Sequence, residues 1–465
     1  MKRFPLCILF FLSACTVGPD YKRPDAPVPA SFKELDGWRS AQPQDEAPRG
    51  QWWSVFGDRE LDALLQRIDV SNQNVRAAEA RLRQARALAD QARAGLFPSL
   101  AANASGNRSK APSLSNAPSL ATGAVNTFNV NLGASWELDL WGKVRRSIEA
   151  GDASWQASTA DLEAAKLSAR AALAQAYFSL RAADSTRKLL EDTVAAYQKN
   201  LQLTENRYKA GVVARLDVVQ AEVQLKSTQA QLMDVGVERA QFEHAIALLV
   251  GEAPANFALP PAPLSIAMPS VPVGVPSVLL ERRPDIASAE RAVAAANARI
   301  GVAKAAMYPT LNLTGSFGTR GANLADLFTA PSRAWALGAA AALPLFDAGL
   351  RRSQTDQAIA VYDEEVATYR QTVLTAFQEV EDNLAALRIL EQEAALQDEV
   401  VAAARRAVEL TNNQYQAGTV SYLNVIITQA TLLSNERTAA GILSRRLTAS
   451  VALVKALGGG WSAPE

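Results

Sequence analysis

Residues 206–225 have the sequence NRYKAGVVARLDVVQAEVQL, and residues 413–432 have the sequence NQYQAGTVSYLNVIITQATL. The two stretches are 207 residues apart and are identical at eight of 20 positions, including Tyr208/Tyr415 and Gly211/Gly418. Upstream, LFPSL at 96–100 recurs as MYPTL at 307–311, at an offset of 211. Because the shared landmarks include Pro, Gly and Tyr as well as Ala, we interpret them as an internal duplication and not as chance similarity between Ala-rich helices.

Each copy predicts a helix, two short strands, a very long helix, a turn and a returning helix. Residues 143–209 contain no Pro and a single Gly, and residues 351–417 are their counterpart. At a rise of 1.5 Å per residue, each of these helices would be about 100 Å long. Neither has a strict heptad of large apolar residues, which favours a wall of helices over a two-stranded coiled coil. Gly211 and Gly418 predict turns with positive φ, after which helices return near Leu216 and Leu423.

Two strand candidates lie before the long helix in each copy. Residues 127–141 alternate strictly between apolar and polar side chains, residues 100–105 do so more weakly, and the second copy offers 311–317 and 335–345. Alternation over roughly 10 residues with Trp near the ends is typical of membrane barrel strands. A half-buried strand of a soluble sandwich alternates in the same way, so the choice depends on other features. The Ser-, Asn- and Pro-rich stretch 107–126 would be an extracellular loop.

The N-terminus predicts a targeting segment. Lys2 and Arg3 provide the positive start, residues 6–12 the apolar stretch, and LSAC at 12–15 the end. This pattern resembles the bacterial lipoprotein signal, and it implies cleavage before Cys15, which would carry a diacylglycerol and an N-acyl chain. An ordinary secretory signal cleaved elsewhere is the alternative. A secreted lipoprotein favours the membrane interpretation of the strands.

Composition excludes several classes of function. Lys+Arg and Asp+Glu both number 47, so no basic excess suggests a nucleic-acid partner. Cys7 lies in the removed segment, which leaves one cysteine and no disulfide. The single histidine, His244, is expected to be a packed or surface residue, and no hydrolase, nucleotide or metal motif is present. We therefore predict no enzyme activity, no metal and no cofactor. The charge run Glu379, Glu381 and Asp382 is expected on a solvated face.

Four strands cannot close a pore in lipid, because a barrel needs at least about eight and an open edge leaves unpaired amides in hydrocarbon. The chain is therefore expected to oligomerise. Three copies of four strands would give a 12-stranded barrel, continued by a helical tube.

The chain resembles the TolC-like outer-membrane factors, of the OprM/NodT lipoprotein type found in RND tripartite efflux systems. The motifs that carry the resemblance cover most of the chain: CTVGPDY at 15–21, WW at 52–53, FGD at 56–58, WELDLWG at 136–142, LERRPDI at 280–286 and PLFD at 344–347. The resemblance implies a mixed fold, with a membrane β-barrel and a long periplasmic α-helical barrel in a homotrimer of the outer membrane. It also implies an equatorial domain, a periplasmic adaptor (membrane fusion protein) and an inner-membrane RND pump as partners.

The predicted domain organisation follows the duplication. It consists of a signal peptide (1–14), a lipidated tether (15–57), the first repeat (58–251), a Pro-rich equatorial connector (252–283), the second repeat (284–458) and a C-terminal tail (459–465).

The resemblance also implies a periplasmic gate where the helix tips converge. The residues predicted to form it are Tyr415, Leu423, Asn424, Ile427, Leu216 and Asp217. This chain departs from the family pattern, because Asn424 and Ile427 stand where acids are expected and Val420 stands where a linking Arg is expected. We expect an apolar constriction with Tyr415 as a hydrogen-bonding latch. Ordinary interhelical packing of Leu423 and Ile427, and a helix-start role for Asp217, remain open.

The resemblance places adaptor docking at the two turns, Gly211-Val212 and Gly418-Thr419. The function it implies is a passive exit duct for small molecules. Two alternatives remain: the outer-membrane duct of a type I protein secretion system, and a lipid-anchored structural coiled coil.

Overall fold

The computed structural model describes residues 16–35, 51–110, 123–264, 268 and 282–459. The chain is mostly helical with one four-stranded sheet. Its main elements are α1 Arg59–Ser71, α2 Gln73–Ala94, β1 Ser99–Ser109, β2 Val125–Leu138, α3 Lys143–Lys209, α4 Arg215–Leu249, α5 Pro284–Ala305, β3 Thr310–Gly321, β4 Arg333–Ala342, α6 Leu350–Gln416 and α7 Tyr422–Ala456.

The chain divides into two compact units. The first, which we call the strand unit, comprises the described residues of Met1–Asp25, Leu82–Ser158 and Ala289–Tyr369. The second, the helical unit, comprises those of Ala26–Arg81, Thr159–Ser288 and Arg370–Glu465. All four strands belong to the strand unit, and both helix-turn-helix tips belong to the helical unit. None of the helices in the described ranges combines the length and the apolarity that a membrane crossing requires.

The two halves of the chain have helices of equal length. The long helices α3 and α6 each have 67 residues, and the returning helices α4 and α7 each have 35. The bounds of α3 are those predicted, and α6 begins and ends one residue before its prediction. Glycines with positive φ occur at the same places in the two halves, in three pairs that are each 207 residues apart: Gly142/Gly349, Gly211/Gly418 and Gly251/Gly458.

The one helix predicted before the strands of the first copy is divided into α1 and α2 at Asn72. The buried Asn72 side chain accepts hydrogen bonds from the backbone amides of Asn74 (2.9 Å) and Val75 (3.0 Å), which caps the start of α2. Its amide group donates to the Leu249 carbonyl (2.7 Å). A residue that caps one helix cannot continue the previous one, so α1 ends there.

The four strands form an antiparallel sheet in the order β1-β2-β3-β4. Leu132 lies opposite Ala102 on one side and Phe317 on the other, and Phe317 lies opposite Trp335. Residues directly opposite share a face, so the apolar residues of all four strands line one face of the sheet, as the alternation predicts.

Two of the predicted strands extend too far. β2 ends at Leu138 and not at Trp141, and β4 ends at Ala342, before the predicted Leu343 and Leu345. The side chain of Asp139 accepts hydrogen bonds from the amides of Val144 and Arg145 (2.9 Å each), which starts α3. Asp347 caps α6 in the same way, through the amides of Gly349 (3.1 Å) and Arg351 (3.3 Å). The apolar pattern thus continues beyond both strands into the segments that lead to the capped helices.

The segment predicted as a tether is extended, but its described part, residues 16–35, is bound and not free. Within the strand unit, the buried Arg146 donates to Asp20 Oδ1 (2.8 Å), and Asn297 donates to the Pro19 carbonyl (3.0 Å). Within the helical unit, the backbone amides of Lys33 and Glu34 donate to the Glu381 carboxylate (2.6 and 2.9 Å). We call residues 16–35 the N-terminal strap.

The prediction of a solvated face for the charge run is wrong for two of its members. Glu381 binds the N-terminal strap, and Glu379 accepts from the buried Arg283 at 2.6 Å. Arg283 also pairs with Asp285 (2.6 Å) and donates to the Ala456 carbonyl (3.2 Å). The LERRPDI motif therefore has a structural role. Its second arginine, Arg283, is buried, and its ion pairs and hydrogen bond fasten α5 to α6 and α7.

The described part of the connector, residues 252–264, is fastened by a second buried ion-pair cluster in the helical unit. Asp184 accepts from Arg181 (2.9 Å), Arg239 (2.7 Å) and the backbone amide of Ala262 (3.0 Å). This cluster joins α3, α4 and the connector.

His244 was predicted to be a packed or a surface residue, and it lies on the exposed side of α4.

Two glycines with nearly the same backbone give a prediction about packing. Gly211 and Gly251 have φ of +71° and +74°, but a Cβ on Gly211 would meet nothing within 4 Å, whereas one on Gly251 would lie 2.2 Å from the Ser71 carbonyl oxygen. We expect Gly211→Ala to lower the free energy of unfolding by about 1 kcal/mol through backbone strain. Gly251→Ala should lower it by about 1–3 kcal/mol more. Denaturant unfolding in detergent, followed by circular dichroism, measures both; equal effects would contradict the steric explanation.

Candidate functional site

Both helix-turn-helix tips close with the same backbone motif. In the first tip, Gly211 donates to the Tyr208 carbonyl (2.9 Å) and Val212 to the Arg207 carbonyl (2.9 Å). In the second, Gly418 donates to the Tyr415 carbonyl (3.0 Å) and Thr419 to the Gln414 carbonyl (3.0 Å). This is the Schellman arrangement, in which a residue in the left-handed conformation satisfies the last helical carbonyls. The predicted glycine turns are confirmed.

The two tips are joined by a small apolar cluster that we call the tip cluster. Its buried members are Ala221 from the first hairpin and Tyr415, Tyr422 and Val425 from the second, and Leu201, Val420 and Ile426 pack against it. The Tyr415 and Tyr422 rings lie with their centroids 5.3 Å apart, tilted by 53°. Aromatic pairs in this geometry stabilise packing by about 0.5–1.5 kcal/mol beyond the area that they bury.

Arg207 supplies a polar connection between the tips. Its guanidinium lies 4.6 Å from the centroid of the Tyr415 ring and donates to the Tyr415 carbonyl at 3.2 Å. A cation over an aromatic face adds about 0.5–2 kcal/mol, depending on how far it is desolvated. Sequence reasoning missed Arg207. The available signal was the break in the repeat, because the corresponding residue of the second copy is Gln414.

Tyr415 is buried, with 7% of its surface exposed, but it does not act as the expected hydrogen-bonding latch within this chain. Its hydroxyl has no hydrogen-bond partner among the described residues. The ring is held by Tyr422 and Arg207 instead. Tyr415 therefore fastens the two tips of one chain through packing and cation–π contact.

Tyr422 is the titratable group whose environment the cluster alters most. Burial, followed by the proximity of Tyr415 and Tyr197, raises the pKa of Tyr422 to about 12. The desolvated ring disfavours a phenolate, because a buried charge loses its hydration.

The other predicted gate residues lie on the surface of the helical unit. Leu216, Leu423 and Ile427 expose 62%, 49% and 54% of their surfaces, and Asn424 is also exposed. Leu423 and Ile427 are thus not packed between helices of the same chain. Asp217 lies half-buried in the first turn of α4, where a carboxylate interacts favourably with the helix N-terminus.

The four predicted adaptor-contact residues, Gly211, Val212, Gly418 and Thr419, are all exposed at the turns.

A polar cleft of about 760 Å³ lies between α3, α4 and α7 of the helical unit. Its walls include Thr228, Gln231 and Arg437, and the Arg437 guanidinium donates to the Gln231 side chain at 3.1 Å. Small-molecule binding pockets are mostly apolar, so this cleft resembles a hydrated surface more than a ligand site. Within the described ranges, no group of three or more His, Cys, Asp or Glu residues is placed to hold a metal ion.

Comparison with known proteins decides the family. The model of the family described as "Outer membrane efflux protein" matches residues 64–252 and 275–459, which is most of the chain. The chain belongs to the outer membrane efflux protein family. Two relatives are a probable efflux pump outer membrane protein, TtgC, of Pseudomonas putida and the outer membrane protein OprJ of Pseudomonas aeruginosa. The first is 33% identical over 97% of this chain and 94% of the relative, and the second is 33% identical over 98% and 95%.

Solved structures of outer-membrane channels are similar to this chain in fold. The outer-membrane channel OprN gives a TM-score of 0.89 at 32% identity, over 96% of this chain and 100% of that one. The MtrE outer membrane channel of Neisseria gonorrhoeae, in its open state, gives 0.84 at 32% identity, over 97% and 99%. The protein is therefore an outer-membrane efflux channel and a non-enzymatic conduit. The alternative of a purely structural coiled coil is wrong.

The tip cluster yields a pH prediction. Because the pKa of Tyr422 is about 12 in the folded chain and an exposed tyrosine titrates near 10, the stabilisation by neutral Tyr422 is complete below about pH 10. As the pH rises from about 10 to about 12, the free energy of unfolding should fall by roughly 2–3 kcal/mol. The Tyr422→Phe variant should lack this part of the decrease. Unfolding followed between pH 9 and 12 tests it, and identical pH profiles for the two proteins would contradict it.

Proposed function

We propose that this protein is the exit duct of a tripartite small-molecule efflux system and that it works as a homotrimer. The observation that carries this proposal is the open four-stranded sheet, whose edges β1 and β4 have no partner strand among the described residues. In a bilayer, each unpaired amide or carbonyl would cost several kcal/mol (about 2–7), so the edges must pair with other copies. Three copies give 12 strands, with the apolar face toward lipid and the polar face toward a lumen.

The duplicated helices supply the rest of the duct. We propose that the two halves are copies of one structural unit and that their long helices build a periplasmic α-helical barrel in the trimer. At 67 residues, each long helix measures about 100 Å along its axis. The connector at 252–283 would form the equatorial domain. The loops 110–124 and 322–332 would lie outside the cell.

The lipid anchor is also part of the proposal. Cys15 lies outside the described residues, and we propose that it carries a diacylglycerol and an N-acyl chain after cleavage of residues 1–14. The bound N-terminal strap supports a fixed anchor, because Thr16 packs against Gly142 so closely that a Cβ there would lie 2.6 Å from its Cγ2. The rigid strap would hold the anchor at a constant position on the strand unit.

The expected partners are a periplasmic adaptor and an inner-membrane RND pump. The relatives serve different cargoes: one is named a toluene efflux pump protein of Pseudomonas putida and another a cation efflux protein of Escherichia coli, at 33% and 30% identity to this chain. Similar ducts with unrelated cargoes favour a passive conduit, in which the pump selects the solute.

We place adaptor docking at Gly211, Val212, Gly418 and Thr419. A type I protein secretion duct remains the alternative, and an adjacent ABC exporter gene would favour it.

We propose that the resting gate is an apolar constriction of Leu423, Asn424 and Ile427, completed by Leu216 and Asp217. The tip cluster around Tyr415 would hold the gate shut by fastening the second hairpin to the first. The exposed positions of Leu423 and Ile427 in one chain support this, because side chains that seal a pore must project beyond their own protomer.

The trimer and the pore can be tested together. Purified protein should migrate as a heat-sensitive trimer that cross-linking confirms, and it should give discrete conductance steps in planar bilayers. Co-purification of a cross-linked adaptor, identified by mass spectrometry, would establish the tripartite assembly. A monomer that never permeabilises a bilayer would contradict the proposal.

The gate chemistry predicts how the channel responds to trivalent cations. A hexaammine metal complex is a trivalent cation that binds to a ring of exposed carboxylates. In the proposed constriction Asn424 and Ile427 stand where such acids would be, and its one acid, Asp217, is half-buried in the first turn of α4. We expect no block of wild-type conductance, and strong block after Asn424→Asp combined with Ile427→Asp. The matched control, Val212→Asp with Thr419→Asp, adds two acids at the tips outside the constriction and should not confer block. Block of the wild-type channel would contradict the apolar gate.

A further inference from the structure

Two arginines lie at the end of the sheet that is farthest along the strands from the helices. β1 ends and β4 begins there, at Ser109 and Arg333, and the segments 110–124 and 322–332 join the strands at this end, which we call the loop end. Arg108 is the last residue but one of β1, and Arg333 is the first residue of β4. Both side chains are exposed.

The strand register places both arginines on the apolar face. Arg333 lies opposite Thr319, which lies opposite Val130, a member of the apolar face. On β1, Arg108 is two residues beyond Gly106, which lies opposite Phe128 of the same face. Because alternate residues share a face, Arg108 and Arg333 project to the side that carries Phe128, Val130 and Trp335.

A third arginine serves as a comparison. Arg320 lies at nearly the same height on β3, but it is opposite Asn129 and therefore on the polar face.

No described residue near the loop end neutralises these cations. Among the described residues, neither Arg108 nor Arg333 has an ion-pair or hydrogen-bond partner for its side chain. Residues 99–136 and 310–346 contain a single acid, Asp326, whose side chain accepts from Asn323 in its own loop at 3.1 Å. The loop end thus carries a net positive charge from Arg108, Lys110, Arg320 and Arg333 against one carboxylate.

The depth of the arginines fits the headgroup layer. An arginine on the lipid face costs about 2–4 kcal/mol at the bilayer midplane and about 0–1 kcal/mol near the interface. Trp335 lies two residues toward the helices on the same face, with 74% of its surface exposed, as expected of an aromatic girdle at the boundary. Arg333 therefore lies one step beyond the girdle, at the depth expected for lipid phosphates.

Closing the ring brings the two arginines together. This step rests on the proposed trimer, in which β4 of one copy pairs antiparallel with β1 of the next. The lipid-facing residues are even-numbered on β1 and odd-numbered on β4, so only registers that place even opposite odd keep both faces intact. The register that pairs all 10 residues of β4 sets Ser99 opposite Ala342 and Arg108 opposite Arg333.

A neighbouring register gives the same outcome. A shift by two residues sets Lys110 opposite Arg333, with Arg108 as its diagonal neighbour. In both registers two cations face each other across the joint at a Cβ separation of about 4.5–5.5 Å, which is destabilising without an anion between them.

We propose that each joint between copies is a phosphate-binding site for a lipid of the outer leaflet, formed by Arg333 of one copy and Arg108 of the next. Guanidinium groups bind phosphate through paired, charge-assisted hydrogen bonds. The apolar face next to Trp335 contacts the acyl chains of the same lipid, which distinguishes a phosphorylated lipid from a free anion. The site exists only in the assembled ring, so the bound lipid also seals the joints between copies.

The test uses the purified trimer in detergent, with bis-phosphorylated lipid A as the probe and native mass spectrometry as the readout. The combined variant Arg108→Gln and Arg333→Gln should bind lipid A about tenfold more weakly than the wild type, because two charge-assisted contacts per site are lost. Arg320→Gln is the matched control and should bind as the wild type does. Dephosphorylated lipid A should bind the wild type as weakly as the combined variant binds lipid A.

The outcomes separate this inference from the proposed function. Equal lipid A affinity in the combined variant and the wild type overturns the site, as does an equal loss in Arg320→Gln. Full competition by millimolar inorganic phosphate overturns the assignment to a lipid. Trimer cross-linking and bilayer conductance are measured on the same samples. A wild type that is monomeric or non-conducting refutes the proposed function, whereas an intact conducting trimer without phosphate selectivity refutes only the lipid site.

Discussion

The requirement that every backbone amide and carbonyl find a partner in lipid governs this protein. β1 and β4 each leave one edge open, and no other strand of the described chain covers them. In water such an edge would be hydrated, but in hydrocarbon it is too costly to persist. In the assembly that we propose, identical neighbours complete the sheet, and the pore, the lipid contact and the joints between copies all follow from this completion.

Within the chain, single charged side chains cap or fasten long helices. Asp139 and Asp347 each cap the start of a 67-residue helix, and Asp139 directly follows the last residue of β2. Arg283 and Asp184 are buried ion-pair centres that fasten the connector and α5 to the long helices. Asp139, Arg283 and Asp347 belong to the family motifs, so part of the charge in those motifs has a structural role. Truncating one partner of a buried pair would leave the other charge uncompensated.

What could be predicted from the sequence depended on whether the signal was local. The long helices were predictable because the absence of Pro and the near-absence of Gly over 67 residues are local properties, and the glycine turns were predictable for the same reason. The strand ends were not, because the apolar alternation continues past Leu138 and only the hydrogen bonds of Asp139 reveal the stop. The roles of Glu381 and of the N-terminal strap depend on partners about 350 residues away, which no local pattern contains.

The differences between the two halves carry more functional information than their similarity. At matched positions, Arg207 corresponds to Gln414 and Arg215 to Tyr422, and it is Arg207 and Tyr422 that surround Tyr415 in the tip cluster. A symmetric pair of tips would pack both hairpins in the same way. The cluster instead buries aromatic rings of the second hairpin against the first, while Leu423 and Ile427 remain exposed beside it. The contact between the two tips is therefore asymmetric: the second hairpin supplies the buried tyrosines, and the first supplies Ala221 and Arg207.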